Sequence, residues 1–381
     1  RAAPQDKNLL DQQVEARLSK AKEASGTSAL SSFVDSFRFH PRAMAGQIEL
    51  ARRYVAGGKL LEAEMAIGEL ANHPEPTVAG PANAVLAANY EAAERFELAR
   101  ERYDILARKY SAVLCLDGKT GKDLADAASQ RQDIQPLIAS REWPSGNVES
   151  KVTDLQGAGV GFSNFRYPVT LSDYRGAAPR GQRGQISTGE TAFRALDSSG
   201  KLISTTSLAR PGQQFLSTNH ASGKVAGHLM LISYGGELLA IDALKVRPGI
   251  TSDGLLWRAD FTDGDATLRR QNVYVSRPAN NNPLLGAGFR NTVAFDRGVG
   301  TIGVVNSLGV TYLQGRQLVC VEPLTGKLLW ERGGIETDSD VFGDEHKIVV
   351  IAPGEKSDQA LVYSAIDGSL LDRRMVDPQD H

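Results

Sequence analysis

LVCVEPLTGKLLWERGG, residues 318–334, consists of two short apolar runs joined through Thr325-Gly326, with Trp330 placed early in the second run. The runs have strand length, and their junction has the chemistry of a tight turn: Gly tolerates a positive φ, and Thr can hydrogen-bond the turn backbone. Glu322 precedes the turn and is placed to serve its N–H groups. Trp330 carries a large ring with one N–H that needs an acceptor when buried, so it is expected to pack on a neighbouring structural element.

Used as a template, this stretch finds relatives elsewhere in the chain. YGGELLAIDALKVRPGITSDGLLWRAD sets Gly235 on Gly315, Leu238 on Leu318, Ala240 on Cys320, Asp242 on Glu322 and, after an insertion, Trp257 on Trp330. Upstream, TAFRALDSSGKLIST places Ala195, Asp197 and Gly200 similarly. Downstream, ALVYSAIDGSLLDRR keeps Gly368 and puts Asp372 where Trp would stand. The steps from Ala195 to Ala240 and from Cys320 to Val362 are 45 and 42 residues. A longer step from Ala240 to Cys320 is expected to hold a loop, SRPANNNPLLGAGFRN, inserted in one blade. Short strands at a period of about 40 to 45 residues are the mark of a propeller blade.

These residues resemble the quinoprotein-type, or PQQ-like, propeller repeat, whose tryptophan-docking signature Ala-x-Asp-x-x-Thr-Gly-x-x-x-Trp also occurs in outer-membrane assembly lipoproteins. Here it reads Cys320, Glu322, Thr325, Gly326 and Trp330, with full spacing and conservative swaps at the first two positions. The resemblance implies that these five, with Ala240, Asp242 and Trp257, are structural blade-docking residues. Residues 148–381 allow about five blades at this period, so the ring is either small or completed by a partner or by further chain; an incomplete or irregular ring within a larger assembly is expected.

The first third reads differently. From Asn8 to about Tyr110 strong helix formers dominate, and apolar residues recur at three- and four-residue steps, as in Leu10, Val14, Leu18 and Ala21. An offset of 36 residues maps Tyr54 on Tyr90, Ala63 on Ala99, Ile67 on Tyr103 and Leu70 on Leu106. A fainter copy at 33 sets Phe33, Val34, Phe37 and His40-Pro41 on Ala66, Ile67, Leu70 and His73-Pro74. A period in the mid-thirties belongs to helix-turn-helix repeats. The pattern resembles the tetratricopeptide repeat, with Ala63 and Ala99 at close helix crossings and Gly57-Gly58 as a small turn. It lacks an early Trp and a Leu-Gly pair, and a generic αα-hairpin array or a plain helical bundle is the alternative. The resemblance implies a groove for a partner peptide, with Tyr54, Tyr90 and Tyr103 as its candidate lining.

The expected fold is therefore α+β and multidomain: helical repeats over 1–112, a connecting segment over 113–147 containing the helix KDLADAASQRQDIQPLIAS, and a propeller-like domain over 148–381. Pro144, Ser145, Gly146 and Asn147 break the helical pattern at the junction. CLDGKTGKDLA, from Cys115, matches the docking spacing but has Ala125 in place of Trp; it is a decayed blade edge or a turn between helices.

Composition removes several function classes. Forty-three Lys and Arg against forty-five Asp and Glu leave a net charge of −2, too balanced for nucleic-acid binding. Two cysteines, Cys115 and Cys320, support neither a disulfide framework nor a Cys-rich zinc site. No apolar run reaches the ~20 residues of a membrane helix, so a soluble chain without a transmembrane segment is expected. The first residue, Arg1, suggests a mature or excised product. No HExxH, GxSxG or Walker loop occurs. GVGTIG, 298–303, formally fits a dinucleotide fingerprint but precedes strand-like sequence. DSDVFGDEH, from Asp338, clusters acids without EF-hand spacing and reads as an inter-blade loop.

A quinone-dependent dehydrogenase would require a calcium site, an Asp base and often adjacent cysteines, as the family implies; no adjacent cysteines occur and no such carboxylate set is assignable. The expectation is a non-catalytic protein-binding scaffold outside the cytoplasm, periplasmic by the family resemblance, with no cofactor or metal and with other proteins as partners. The alternatives are a PQQ-type quinone-binding oxidoreductase or a fragment of a larger propeller protein.

Overall fold

The computed structural model describes residues 4–134, 166–173, 183–187, 192–196, 202–207, 221–234, 237–245, 254–260, 277–278, 289–290, 302–336, 339–352 and 358–376. The chain divides into two compact units, Arg1–Gly159 and Val160–His381. The expected boundary near 137–147 lies outside the described residues.

The first unit is built from helices α1 (Pro4–Glu23), α2 (Ser28–Phe37), α3 (Pro41–Ala56), α4 (Leu60–Ile67), α5 (Pro76–Ala92) and α6 (Phe96–Lys109). They pair in sequence order: α1 with α2, α3 with α4, and α5 with α6. Pro41 and Pro76 open α3 and α5 at a first-turn position, where the missing N–H is not needed. Val14, Leu18, Ala21, Leu30, Phe33 and Leu50 form one buried cluster; Leu10, expected on the same face of α1, is exposed.

The 36-residue repeat reappears bond for bond at the helix ends. Lys59 N donates to Tyr54 O at 2.9 Å and Arg95 N to Tyr90 O at 2.7 Å. Gly58 N donates to Val55 O, and Glu94 N to Glu91 O. Both ends are Schellman closures, which require a left-handed residue: Gly58 has φ +72° and Glu94 has φ +58°. Ala63 and Ala99 are completely buried, which lets the following helix cross closely. The 33-residue copy appears in the His-Pro turns, where His40 Nδ1 accepts Arg42 N–H and His73 Nδ1 accepts Glu75 N–H.

The Cys115 stretch is a turn between helices, the second of the two readings left open. Strands β1 (Leu114–Leu116) and β2 (Lys119–Thr120) form a hairpin through Asp117 and Gly118, both at positive φ. Helix α7 (Gly121–Ser129) follows, opened by a capping box between Thr120 and Asp123. It packs on α6, so the start of the expected connecting segment belongs to the helical unit.

Among the described residues, the second unit shows four four-stranded antiparallel meanders. The first comprises β3 (Arg166–Asp173), β4 (Arg183–Ser187), β5 (Ala192–Leu196) and β6 (Leu202–Ser207). The second comprises β7 (Ala221–Ala226), β8 (Leu229–Tyr234), β9 (Glu237–Asp242) and β10 (Leu255–Asp260). A two-residue pair, β11 (Arg277–Pro278) with β12 (Phe289–Arg290), precedes the third, made of β13 (Ile302–Val305), β14 (Val310–Gln314), β15 (Gln317–Val321) and β16 (Leu328–Gly333). The fourth is β17 (Asp340–Gly343), β18 (Lys347–Ala352), β19 (Asp358–Ser364) and β20 (Leu370–Val376).

The sheets are blade-like, and the layout is α+β. Parallel pairing of β3 with β7, Thr170 opposite Ser222 through Asp173 opposite Val225, joins the first two meanders into one eight-stranded sheet. Four such meanders appear among the described residues, where the period allowed about five, and they do not close a ring. The loop SRPANNNPLLGAGFRN, expected inside a blade on the long step from Ala240 to Cys320, lies outside the described residues apart from the β11–β12 pair. Core side chains of the last two sheets, including Leu313, Leu318, Val350 and Leu361, form a single buried cluster.

Candidate interaction site

One structural detail recurs in all four meanders. Where the third strand meets the fourth, the register shifts by a bulge, leaving Ala195 opposite Ser204, Ala240 opposite Trp257, Cys320 opposite Trp330 and Val362 opposite Asp372. A bulge at a fixed place re-aims the side chain that follows it. In the second and third sheets the re-aimed side chain is a Trp that leaves its own sheet for the next one.

Trp257 Nε1 donates to Pro323 O at 2.8 Å, and its ring lies against Gly326, where an added Cβ would approach Cδ2 to 2.8 Å. Trp330 Nε1 donates to Ala365 O at 3.2 Å, and its ring covers Gly368, where an added Cβ would come within 2.5 Å of Cε3. Both glycines have positive φ, +69° and +65°, so shape and backbone conformation each require Gly there. The residues facing the rings, Ala240 and Cys320, are small and buried.

Further contacts tie the sheets together. Arg332 donates through Nε to Gly368 O at 2.6 Å and through Nη2 to Asp367 O. Lys224 Nζ donates to Gly303 O at 2.8 Å. Sequence reading missed both. Arg332 carried one available signal, its place two residues after Trp330 on the same face of a strand; Lys224 carried none.

The polar side chains at the receiving turns serve those turns. Glu322 Oε2 accepts N–H bonds from Leu324 and Thr325 and the Thr325 hydroxyl at 2.6 Å. Asp242 Oδ1 accepts Leu244 N–H, and Ser364 Oγ accepts Ile366 N–H, so three different residues make the same local turn. Burial raises the Asp242 carboxyl above the usual range, against the opposing pull of the Leu244 N–H and Lys245. At Asp367 the Ser369 N–H, then the Ser364 and Ser369 hydroxyls, hold the carboxyl down at about 2.

The fourth sheet lacks the Trp. Its corresponding row runs Phe342, Val349, Val362 and Asp372 across the strands. In the second and third sheets this row faces the next sheet; here Phe342 is exposed, while Val349 and Val362 are half-buried. Leu328, Leu329, Ile366, Leu370 and Leu371 are also exposed, all around the turns that join third to fourth strands.

The three helical tyrosines do not form one surface. Tyr90 is buried, and its hydroxyl donates to Glu64 Oε1 at 2.7 Å, which makes it a core residue of the hairpin pair and not a groove residue. Burial first, and the Glu64 charge second, raise its pKa. Tyr54 is half-buried against the α1–α3 cluster, with Lys59 Nζ 5.8 Å from its ring centre. Tyr103 is half-buried beside Glu91, which also pairs with Arg131 at 2.6 Å.

The remaining chemical motifs have local structural roles. Gly303 lies inside β13, where an added Cβ would meet Val341 and Thr311, and a strand follows it where a dinucleotide site needs a helix. Asp344, in the acidic stretch, accepts N–H bonds from His346 and Lys347 within its own turn. Among the described residues no three His, Cys, Asp or Glu side chains gather as a metal site, and no helix is long and apolar enough to cross a membrane. Burial pushes the thiols of Cys115 and Cys320 up to about 11 and about 12, which leaves both poor nucleophiles.

No family model matches this chain, and no curated protein does. Solved structures with distant similarity include BamB from Moraxella catarrhalis, at 12% identity and TM-score 0.32 over 53% of this chain and 49% of that one. Saccharomyces cerevisiae Sqt1 is similar at 8% identity and TM-score 0.29 over 50% and 44%. The Dos1 propeller is similar at 9% identity and TM-score 0.30 over 51% and 44%. The chain spans about half the length of these structures. Similarity this distant transfers neither residues nor roles, and the functional reading rests on the geometry above.

Proposed function

We propose that this chain is a non-catalytic scaffold that binds other proteins outside the cytoplasm, combining tetratricopeptide-like hairpins with PQQ-like blades. The observation that carries this reading is how the side chains of the sheets are used. Acidic groups at the turns are engaged with their own backbone, while large apolar side chains such as Leu329, Ile366 and Leu371 stand exposed around one set of turns. Exposed apolar surface of this kind marks interaction sites. The repeated Schellman ends support the hairpin reading, and the two Trp-to-turn contacts support the blade reading. Periplasmic location rests on the family resemblance.

The test is affinity capture with mild crosslinking from envelope and soluble fractions, comparing the intact chain, a version without residues 1–112, and Leu329→Glu with Leu371→Glu. Defined partners lost in one of the altered chains support the scaffold and locate its surface. No partner in either fraction, together with quinone-dependent absorbance or calcium-dependent stabilisation, would replace it with the oxidoreductase reading.

A further inference from the structure

β20 is the outer strand of the fourth sheet: it pairs with β19 on one side and has no strand on the other among the described residues. Its sequence, LLDRRMV, has an internal symmetry that the other outer strands with described side chains, β10 (LLWRAD) and β16 (LLWERG), do not share. Reflected about Arg373, Asp372 falls opposite Arg374, Leu371 opposite Met375 and Leu370 opposite Val376. The same reflection of β16 about Glu331 sets Trp330 on Arg332 and Leu329 on Gly333, with neither charge nor apolar match.

The backbone agrees with this centre. The Arg373 N–H is turned to the Asp372 carboxylate, Oδ1 at 2.8 Å, so it points to the open side of the strand. Outward groups alternate along a strand, which makes 371, 373 and 375 the residues able to bond a further strand. A twofold axis through Arg373 pairs those positions with one another. The side chains there are unusually exposed for their type: Leu371 is 54% and Met375 66% exposed.

We propose that β20 is a self-pairing edge, through which two copies of this chain join by antiparallel β20–β20 pairing about a twofold axis at Arg373. Leu371 then packs on the partner's Met375, and Asp372 meets the partner's Arg374, each contact occurring twice because the interface is isologous. Asp372 and the partner's Arg374 are directly opposite in a non-hydrogen-bonded pair, the arrangement in which cross-strand side chains approach most closely. In one copy alone Arg374 Nε turns back to Asp372 Oδ2 at 2.5 Å, so the ion pair exchanges its partner without losing it. The carboxylate that covers the Arg373 N–H in the single chain gives way to the carbonyl of the partner's Arg373. Charges ordinarily blunt an exposed edge; here their order makes the edge selective for its own copy. Leu371 is shared with the apolar surface of the scaffold reading, but swaps at Asp372 and Arg374 leave that surface in place, so failure of the self-pairing leaves that reading standing.

The experiment is sedimentation velocity of the full chain across a concentration series, with Asp372→Arg, Arg374→Asp and the double swap, each checked by circular dichroism for an unchanged fold. A concentration-dependent dimer is expected. Each single swap sets like charges opposite each other twice and should weaken self-association about tenfold or more. The double swap restores opposite charges and should recover most of the loss. A monomer at every concentration up to about 100 μM would overturn the proposal. So would a dimer indifferent to both single swaps, or a double swap no better than either.

Discussion

Trp330 and Asp372 hold the same register position in successive sheets, each opposite the small or β-branched residue that precedes the bulge. What differs is what lies beyond: Trp330 finds a glycine turn and a carbonyl acceptor, while Asp372 stays with its own strand neighbours. Trp330→Ala is expected to destabilise the sheet unit by about 3–5 kcal/mol, since the ring is buried and Ala365 O loses its donor. Trp330→Phe should recover part of this, leaving the missing N–H bond of about 1 kcal/mol and the smaller ring. Urea unfolding followed by far-UV circular dichroism reads both. Glu94 offers the opposite case. It occupies the left-handed position that Gly58 fills one repeat earlier. Glu94→Gly should therefore stabilise the helical unit, by about 0.5–1 kcal/mol once the added chain entropy of Gly is offset. A raised thermal midpoint is the readout; an unchanged or lowered one counts against strain at Glu94.

At the scale of elements, the turns between third and fourth strands act both as chain reversals and as seats for a neighbouring ring. The turn at 364–369 depends on Asp367, whose side chain accepts the Ser369 N–H at 3.1 Å and the Ser369 hydroxyl at 2.8 Å. Its folded pKa lies below the ordinary aspartate value, so its stabilising contribution is complete above about pH 4 and disappears as the pH falls toward 2. The native chain and Asp367→Asn should thus differ in thermal midpoint at pH 5 and converge near pH 2. A difference that persists at pH 2 would show that the turn depends on something other than this carboxylate. The helix ends at 54–59 and 90–95 show the same economy, one bond pattern closing two helices and aiming two hairpins.

For the whole molecule, the helical hairpins have their own buried clusters and their own caps, from the α1–α3 cluster to the capping box of α7. A fragment of residues 1–134 is accordingly expected to fold alone, with helical circular dichroism and a cooperative thermal transition. A disordered fragment would mean that the hairpins need the remainder of the chain. The last two sheets share one core through Trp330, Ile335 and Tyr363. Damage to one of these sheets should therefore unfold the other with it, and Trp330→Ala should remove a single cooperative transition from the sheet unit.

Sequence alone determined what depends on local chemistry and on period. The apolar spacing of residues 10–106 dictated helices, the 36-residue offset set their pairing, and the alignment of Ala195, Ala240, Cys320 and Val362 marked strands that share one bulge. Such features survive in a one-dimensional reading because neighbours within a few residues fix them. Only tertiary structure decided what each side chain meets. It buried Tyr90 against Glu64, although the repeat pattern placed it level with half-buried Tyr54. It seated Trp257 of the second sheet on Gly326 of the third, a contact between residues 69 positions apart in the chain. And it left β20 without a neighbour on one side among the described residues, because whether a strand edge is covered depends on packing that no stretch of seven residues encodes.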